Sequence, residues 1–369
     1  MAKYKYVHLA QRVLPVAPFF FLLIANAFGA ADKILTPIKT FETGSLISSV
    51  RWNSQGDVLA TSGAESNIRL WSNEGALIDK VDTHTSRVMG LAWKPDGYLL
   101  ATTNCNQRDA TQMHCLEGSA HLWNLRTKKE ERELLHPHPH DHNYVSSRMA
   151  QKEGLASAID PHSRPGDELR AISWSRDGRF IAIGDATGIL RVLDAASGEI
   201  LLQEKTQWVI SALDWSADGL LASASLDNTI VVRDIQRKKI MATLRGQDAN
   251  ILSLAWHPRL PLLASGAGNK TVVIWDVAAD KIVQTLTSFD AAVRAVAWHP
   301  EGNYLAATSY TMGAGGGAVL IFDTKTWKQV GQGAVHPGAH IRVLAWDPMG
   351  DRIATGGDDR IVGLWRFTP

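Results

Sequence analysis

The chain has 369 residues, of which 45% are hydrophobic and 20% are charged. This composition supplies enough apolar side chains for a packed core and excludes a disordered or collagen-like chain. The charge is nearly balanced, with 38 Lys and Arg against 37 Asp and Glu, so a basic surface for nucleic acid is not expected.

The first thirty residues have the pattern of an export signal. Three basic residues precede an apolar run over 13–25, and small residues follow at 27–31. This order predicts a signal peptide over 1–30 with cleavage near 27–31. An uncleaved anchor is the alternative, but the run is shorter than the about 20 apolar residues that span a bilayer. We therefore expect a periplasmic or secreted protein with no membrane span after signal removal.

Seven tryptophans recur in near-identical contexts such as "SVRW", "ALDW" and "AVAW". They are Trp52, Trp93, Trp174, Trp215, Trp256, Trp298 and Trp346. Each is followed by a turn such as "KPDG", an alternating run such as "YLLATT", and a third run that closes on "RLWS" or "VIWD". Runs of period two separated by Gly, Asp and Pro predict antiparallel strands, and the tryptophans are expected in the core. Self-similarity at roughly 40 residues indicates an array of repeated units.

The segments "SLDNTIVVRD" and "NKTVVIWD" resemble the WD40 motif position by position, and the resemblance covers residues 34–367. It implies an all-β fold, a seven-bladed β-propeller over 31–369 with four antiparallel strands per blade, as in an exported bacterial-type member. The last repeat stops after its third strand, while "ILTPIKTFE" near the start is similar to an outer strand. We therefore expect 34–42 to pair with 361–367 and to close the ring without an exposed sheet edge.

WD40 blades often carry a His before the first-strand Trp and an Asp before the third-strand Trp, as buried hydrogen-bond partners. In this chain only His84 matches the first position, and Asp227 and Asp359 match the second. The resemblance therefore implies an incomplete polar network in most blades. His84 itself is expected to be structural, because buried polar groups are normally paired.

In the resembled family, the loops from fourth to first strands and from second to third strands share one face, called the top. The three large insertions, at 104–118, 136–167 and 311–317, fall on loops of that face. The opposite bottom face keeps short turns. Because long insertions in a compact repeat are usually functional, we expect the top face to bind a protein or peptide.

The first insertion contains the only cysteines of the chain, Cys105 and Cys115. An oxidising compartment favours a disulfide between them, since exported proteins rarely keep two nearby thiols reduced. Free thiols or soft metal ligands are the alternatives. We expect the disulfide to clip the loop over 104–118.

The second insertion contains the tract "HPHPHDH" at 136–142. Neutral imidazoles bind Zn, Cu and Ni, so the tract is a candidate metal site, with Zn or Cu as the candidate cofactor. The candidate ligands are His114, His136, His138, His140, His142 and His162. A solvated loop is the alternative, because proline favours an extended path on which the side chains diverge. A metal-binding protein or metallochaperone is thus the alternative function.

Trp208 lies at the start of the fourth blade, where other blades have Ser86, Ala249 or Ala291. An aromatic residue at this position has no packing role that repeats around the ring. Trp208 is therefore a candidate anchor for a partner, with ordinary loop packing as the alternative.

Sequence motifs for catalysis are absent. The chain has no phosphate-binding P-loop, no G-x-S-x-G elbow and no haem-attachment motif. The glycine-rich "TMGAGGG" at 311–317 lacks a following helix and lysine, which favours a flexible spacer over a nucleotide site. We therefore expect a non-enzymatic binding scaffold with no catalytic residues.

Overall fold

The structure is a computed structural model, and it describes residues 35–108, 115–135, 168–205, 208–311 and 315–369. The predicted signal peptide and the insertion over 136–167 lie outside these residues, so the signal and its cleavage point stay predictions. Within the described ranges, no helix is long and apolar enough to cross a lipid bilayer.

Twenty-eight strands form seven antiparallel sheets in the described residues, which confirms the predicted all-β propeller. Blade 1 contains β2 (Ile47–Trp52), β3 (Val58–Gly63), β4 (Asn67–Ser72) and β5 (Leu77–Asp82). Blade 2 contains β6 (Arg87–Trp93), β7 (Leu99–Arg108), β8 (Cys115–Asn124) and β9 (Lys129–Leu135). Blade 3 contains β10 (Leu169–Trp174), β11 (Phe180–Asp185), β12 (Ile189–Asp194) and β13 (Ile200–Lys205).

The remaining blades repeat this order of strands. Blade 4 contains β14 (Ile210–Trp215), β15 (Leu220–Ser225), β16 (Ile230–Asp234) and β17 (Lys239–Leu244). Blade 5 contains β18 (Ile251–Trp256), β19 (Leu262–Ala267), β20 (Val272–Asp276) and β21 (Lys281–Leu286). Blade 6 contains β22 (Val296–Trp298), β23 (Tyr304–Thr311), β24 (Gly316–Asp323) and β25 (Gln329–Pro337). Blade 7 contains β26 (Ile341–Trp346), β27 (Arg352–Gly357), β28 (Ile361–Phe367) and β1 (Leu35–Glu42).

Blade 7 is closed by the two ends of the propeller, as the sequence predicts. Strand β1 pairs antiparallel with β28, from Leu35 opposite Phe367 to Glu42 opposite Ile361. The first strands of neighbouring blades contact one another around the ring, β2 with β26 included. The ring therefore has no free sheet edge between its first and last blades.

The core lies between neighbouring blades. One cluster joins Ala222 and Val232 of blade 4 to Leu263 and Trp275 of blade 5, and equivalent clusters occupy the other junctions. This arrangement explains the near-continuous apolar second and third strands, because both faces of those strands are covered. The first-strand tryptophans belong to these junctions and are at least half-buried, which confirms their predicted core role.

A belt of indole hydrogen bonds connects the blades. In five blades, the first-strand tryptophan N–H donates to the backbone carbonyl that precedes the equivalent tryptophan of the previous blade. The pairs are Trp93 with Arg51, Trp215 with Ser173, Trp256 with Asp214, Trp298 with Ala255 and Trp346 with Ala297. Within the described residues, the buried indole nitrogens of Trp52 and Trp174 have no partner. The belt is thus interrupted at two of the seven junctions.

Candidate functional site

A network of four side chains joins His336, at the end of β25 in blade 6, to Asp359, Thr355 and Trp365 of blade 7. Nδ1 of His336 lies 2.8 Å from Oδ2 of Asp359, and Nε2 lies 2.8 Å from the hydroxyl of Thr355. The indole N–H of Trp365 donates to the same hydroxyl at 2.9 Å. His336 is fully buried, and each of its ring nitrogens has a partner. The network braces the blade in which β1 closes the ring.

The prediction that His84 is a buried structural residue is wrong. Its side chain is 86% exposed, and its backbone adopts a φ of 54° in the turn that leads to β6. His336 was missed because it lies one position too early for the usual spacing. The register between β24 and β25 shifts around Val335, and this bulge adds the extra residue before the first strand of blade 7.

Blades 1, 2 and 5 share one bond of this network, from the third-strand tryptophan to a second-strand hydroxyl. The pairs are Trp71 with Thr61, Trp123 with Thr102 and Trp275 with Ser265, at 2.9, 3.2 and 2.8 Å. In blade 5, Gln247 takes the place of the histidine, and its Oε1 accepts from Ser265 at 2.6 Å. The donor and acceptor chemistry is therefore kept in these blades while the residue types vary.

Blade 4 has an arginine where these blades have a tryptophan. Nη1 of Arg233 donates to the hydroxyl of Ser223 at 3.2 Å, and Nε donates to Glu204 of blade 3 at 2.8 Å. Burial lowers the pKa of the Arg233 guanidinium, and the Glu204 carboxylate opposes that shift. The second-strand hydroxyl thus keeps a donor, but a charged group stands where an indole would pack.

A pocket of about 300 Å³ lies beside this arginine. The blade-4 pocket is lined by Asp227, Thr229, Val231, Arg233, Ile240, Thr243 and Arg245. Asp227 and Thr229 belong to the turn between β15 and β16, and Arg245 follows β17, so the pocket reaches the top edge of the blade. The sequence signal for it is the Arg in "VVRD", where the repeat otherwise favours Trp.

Trp208 lies beside the blade-4 pocket. Its backbone N–H donates to Oδ2 of Asp227 at 3.3 Å, while Oδ1 of Asp227 accepts from the backbone and hydroxyl of Thr229. The side chain is 58% exposed, and it precedes β14, which begins at Ile210. Asp227 therefore links the backbone of Trp208 to the pocket wall. The partner-binding role of Trp208 stays a prediction.

The insertion over 104–118 is a raised hairpin of blade 2. Strands β7 and β8 each have 10 residues, and their pairing extends to Arg108 opposite Cys115. Cys105 and Cys115 are buried in it at disulfide distance, with Cα atoms 5.6 Å apart. The expected loop is therefore largely strand in the described residues, because β7 and β8 continue to pair beyond the level of Arg87, where β6 begins. The oxidation state of the pair in the cell stays a prediction.

The insertion over 311–317 is likewise partly strand rather than spacer. Gly316 pairs with Thr311, and β23 and β24 have 8 residues each. A Cβ atom on Gly316 would lie 2.5 Å from the backbone oxygen of His336, so the neighbouring strand β25 leaves no room for a side chain. The glycines thus allow close packing of a second raised hairpin on blade 6.

The six candidate metal ligands, His114, His136, His138, His140, His142 and His162, lie outside the described residues. Among the residues that the structure describes, no group of three or more His, Cys, Asp or Glu side chains could hold a metal ion. Metal binding by Zn or Cu therefore stays a prediction from the sequence.

A second groove lies on the bottom face, where the sequence indicates only short turns. It has a volume of about 320 Å³ between blades 1 and 2, and its walls include Ile78, Trp93 and Tyr98. The guanidinium carbon of Arg126 lies 3.2 Å from the centre of the Tyr98 ring. Ile78 and Tyr98 are partly exposed in this groove, and the repeat motif does not predict their exposure.

Comparison with known proteins agrees with the propeller. Five segments match the family described as "WD domain, G-beta repeat", at residues 35–72, 75–124, 238–276, 280–323 and 327–366. A further segment, 146–218, matches the "Anaphase-promoting complex subunit 4 WD40 domain", although part of it lies outside the described residues.

Several curated proteins share part of this sequence. Intraflagellar transport protein 80 homolog of Mus musculus is 24% identical over 194 residues, which cover 49% of this chain and 23% of that protein. WD repeat-containing protein SL1-17 of Schistosoma mansoni is 25% identical over 195 residues, which cover 52% of each chain. F-box-like/WD repeat-containing protein TBL1X of Mus musculus is 22% identical over 223 residues, which cover 56% of this chain and 35% of that protein.

The chain spans no more than about half the length of these relatives. All three come from eukaryotes, so they give no support to the bacterial-type part of the resemblance, and export stays a prediction. Their shared feature with this chain is the repeat itself. Because the matched repeats cover more than half of the sequence, the chain belongs to the WD-repeat family.

Proposed function

We propose that this protein is a non-enzymatic scaffold that docks a protein or peptide on its top face. The observation that carries the proposal is Trp208, whose ring is 58% exposed on blade 4 although every first-strand tryptophan is at least half-buried. Exposed aromatic side chains provide large contact areas at low cost in conformational entropy and often dominate interfaces.

The shape of the top face supports this proposal. The raised hairpins of blades 2 and 6 extend beyond the six-residue strands of blades such as blade 4. Blade 4 lies two blades away from each hairpin around the ring, so among the described residues Trp208 lies between two longer hairpins. A segment that contacts Trp208 would be bounded on both sides by these hairpins.

The fold also favours binding over catalysis. The relatives are WD-repeat proteins, and propellers of this kind generally act as interaction scaffolds. The rigid blades hold loop residues in fixed positions, which reduces the entropy that is lost when a partner binds.

The proposal is tested by comparing two single substitutions in cells that naturally make the protein. Trp208→Ala removes the top-face ring, and Met349→Ala removes a 73% exposed apolar side chain from a bottom turn of blade 7. We expect a partner that co-purifies with the wild type and with Met349→Ala but is lost with Trp208→Ala. A partner that depends on Met349 instead would contradict docking on the top face, and the absence of any stable partner would contradict the scaffold.

A further inference from the structure

The blade-4 pocket has two arginines in its lining, and the exposed Trp208 is bonded through its backbone N–H to Asp227 of the same lining. From this arrangement we propose that the pocket binds the carboxylate of an Asp or Glu side chain of a partner peptide. Arg233 and Arg245 receive the carboxylate, and Trp208 packs against an apolar residue next to it in the peptide. This inference rests on the proposed docking function and names the chemistry of the docked segment.

The cavity results from one substitution within the repeat. In blade 5, Trp275 occupies the equivalent third-strand position and is buried with Ala224 and Val232 of blade 4. In blade 4, the narrower guanidinium stem of Arg233 stands there and leaves about 300 Å³ next to Val231 and Ile240. A buried position with an arginine and free space is the arrangement expected of a site for a planar anion.

Hydrogen-bond donors remain available in this cavity. Arg233 uses Nε for Glu204 and Nη1 for Ser223, while no hydrogen bond among the described residues uses its Nη2. Arg245 lies at the mouth of the pocket with an exposed side chain, and its guanidinium has no ion pair within the described part of the chain. Two guanidinium groups can thus donate to one incoming carboxylate.

The charges around the pocket favour an anion with a single charge. Asp227 lines the pocket, and Glu204 contacts Arg233 at 2.8 Å, so two carboxylates lie close to the two arginines. A phosphate group carries almost two negative charges near neutral pH and would be repelled more strongly by these carboxylates than a carboxylate would be. The pocket is therefore assigned to Asp or Glu side chains rather than to phosphorylated residues.

Trp208 adds a requirement for an apolar neighbour. Its backbone is tied to Asp227 at 3.3 Å, so its position relative to the pocket is set by the same carboxylate that lines the wall. Because the backbone of Trp208 is fixed at the pocket wall, its exposed indole is available to cover an aliphatic or aromatic side chain while the acidic side chain enters the cavity. The recognised feature is thus an acidic residue next to an apolar one.

The experiment uses the full chain and a display library of random dodecapeptides as the probe. Peptides selected on the wild type are synthesised, and their Kd values are compared with Arg245→Met, which removes the charge but keeps the apolar stem. Arg259→Met is the matched control, because it removes an exposed arginine from a bottom turn of blade 5. Each peptide is also tested with its acidic residue replaced by the corresponding amide.

We expect selected peptides to share an acidic residue and to bind Arg245→Met about tenfold more weakly or worse, with no loss for Arg259→Met. The amide replacement should weaken binding to a similar extent, and millimolar inorganic phosphate should not displace the peptides. Trp208→Ala should reduce affinity for the same peptides.

The possible results distinguish failure of the carboxylate site from failure of the docking proposal. Peptides that bind Arg245→Met as tightly as the wild type, or that tolerate the amide replacement, would overturn the carboxylate site and leave top-face docking intact. Displacement by phosphate would also overturn it, because it would show a site for a doubly charged anion. If the wild type selects no peptide, both the pocket and the docking proposal fail.

Discussion

Blades 4 and 7 use the same positions of the repeat in opposite ways. In blade 7, Trp365 meets His336, from the end of β25 in blade 6, at the hydroxyl of Thr355. In blade 4, Arg233 reaches the equivalent hydroxyl of Ser223 but leaves a cavity beside it. The two blades differ at the third-strand position, which is Trp365 in blade 7 and Arg233 in blade 4, and in the bulge at Val335 that positions His336.

The comparison contrasts a blade that closes the ring with the blade that we propose for recognition. Blade 7 closes the ring and needs a well-packed interior, because β1 and β28 come from opposite ends of the propeller. Blade 4 lies in the middle of the chain, where covalent connections on both sides hold it in place. We expect a polar cavity to cost the folded state less there, in agreement with the binding role that we propose for it.

The largest expected effect comes from breaking the closure of blade 7. Deletion of residues 35–42 removes β1 and the contact between Phe41 and Trp71, whose ring centres lie 4.0 Å apart. We expect Tm to fall by about 10 °C or more, or the protein to fail to fold, because an outer strand and its buried side chains are lost. An unchanged Tm in differential scanning calorimetry would contradict closure by β1. Thr36→Ala, at an exposed position of the same strand, serves as the control.

The second prediction concerns the polar network of blade 7. His336→Ala leaves the Asp359 carboxylate and the Thr355 hydroxyl without their shared partner in a buried site. We expect the free energy of unfolding to fall by about 2–4 kcal/mol, because unsatisfied buried polar groups keep their full desolvation cost. Urea denaturation of His336→Ala and of His84→Ala provides the measurement. Equal effects of the two substitutions would show that the network does not stabilise the blade.

The third prediction compares the bottom turns of the two blades. Burial and the neighbouring Asp351 carboxylate raise the pKa of Asp347 in blade 7 to about 6. Blade 4 has the uncharged Ser216 at this position, and its hydroxyl accepts the backbone N–H of Leu220 at 2.9 Å. The folded state therefore holds a proton on Asp347 that the unfolded chain has already released, so the stability of the protein falls as pH rises from about 4 to 6.

Asp347→Asn should remove this loss. The Asn Oδ1 can still accept from the backbone N–H groups of Gly350 and Arg352, which lie 2.9 and 3.0 Å from the present carboxylate. We expect the variant to be about 1–2 kcal/mol more stable than the wild type at pH 8 and to lose this advantage below pH 4. Chemical denaturation at several pH values measures the difference. A variant that is less stable at pH 8 would show that the charge on Asp347 supports the turn.

The fourth prediction concerns the arginine of blade 4. Arg233→Met replaces a buried cation with an apolar side chain, and its partner Glu204 is 42% exposed, so no buried charge is left unpaired. We expect a change in unfolding free energy within about 1 kcal/mol of zero, because exchanging a buried charge for an apolar group is often neutral or stabilising. The reverse exchange in blade 7, Trp365→Arg, should destabilise by several times as much. Similar losses for both would remove the contrast between the blades.

The number of blades and the ring closure could be predicted from the sequence because they follow from periodicity. A first-strand tryptophan at regular intervals marks each blade, and β1 is recognisable because the last repeat lacks its outer strand. Both features depend on backbone pairing, which alternation and turn residues encode locally.

The networks and the blade-4 pocket could not be predicted because they depend on how side chains pack against each other and not on strand periodicity. His336 is displaced by the bulge at Val335, which no spacing rule contains. The blade-4 pocket depends on what stands beside Arg233, including Glu204 of blade 3, which lies 29 residues earlier in the chain. No residue type marks an unfilled volume in the sequence, so the pocket is visible only in the packed structure.

The smallest effect on stability is expected at the residue with the largest expected effect on binding. Trp208→Ala removes an indole that is 58% exposed and belongs to none of the hydrophobic clusters described for the seven junctions. We expect the free energy of unfolding to change by no more than about 0.5 kcal/mol, because exposed side chains outside the core contribute little. Its backbone bond to Asp227 is kept, since the amide is unchanged.

Trp215→Ala is the matched comparison in the same blade, because Trp215 is 1% exposed and lies on β14. It should cost about 3–5 kcal/mol, the range for truncation of a buried aromatic side chain. Urea denaturation of both variants measures the two values. If Trp208→Ala costs several kcal/mol as well, Trp208 is part of the packing of blade 4, and the ring cannot be free to anchor a partner.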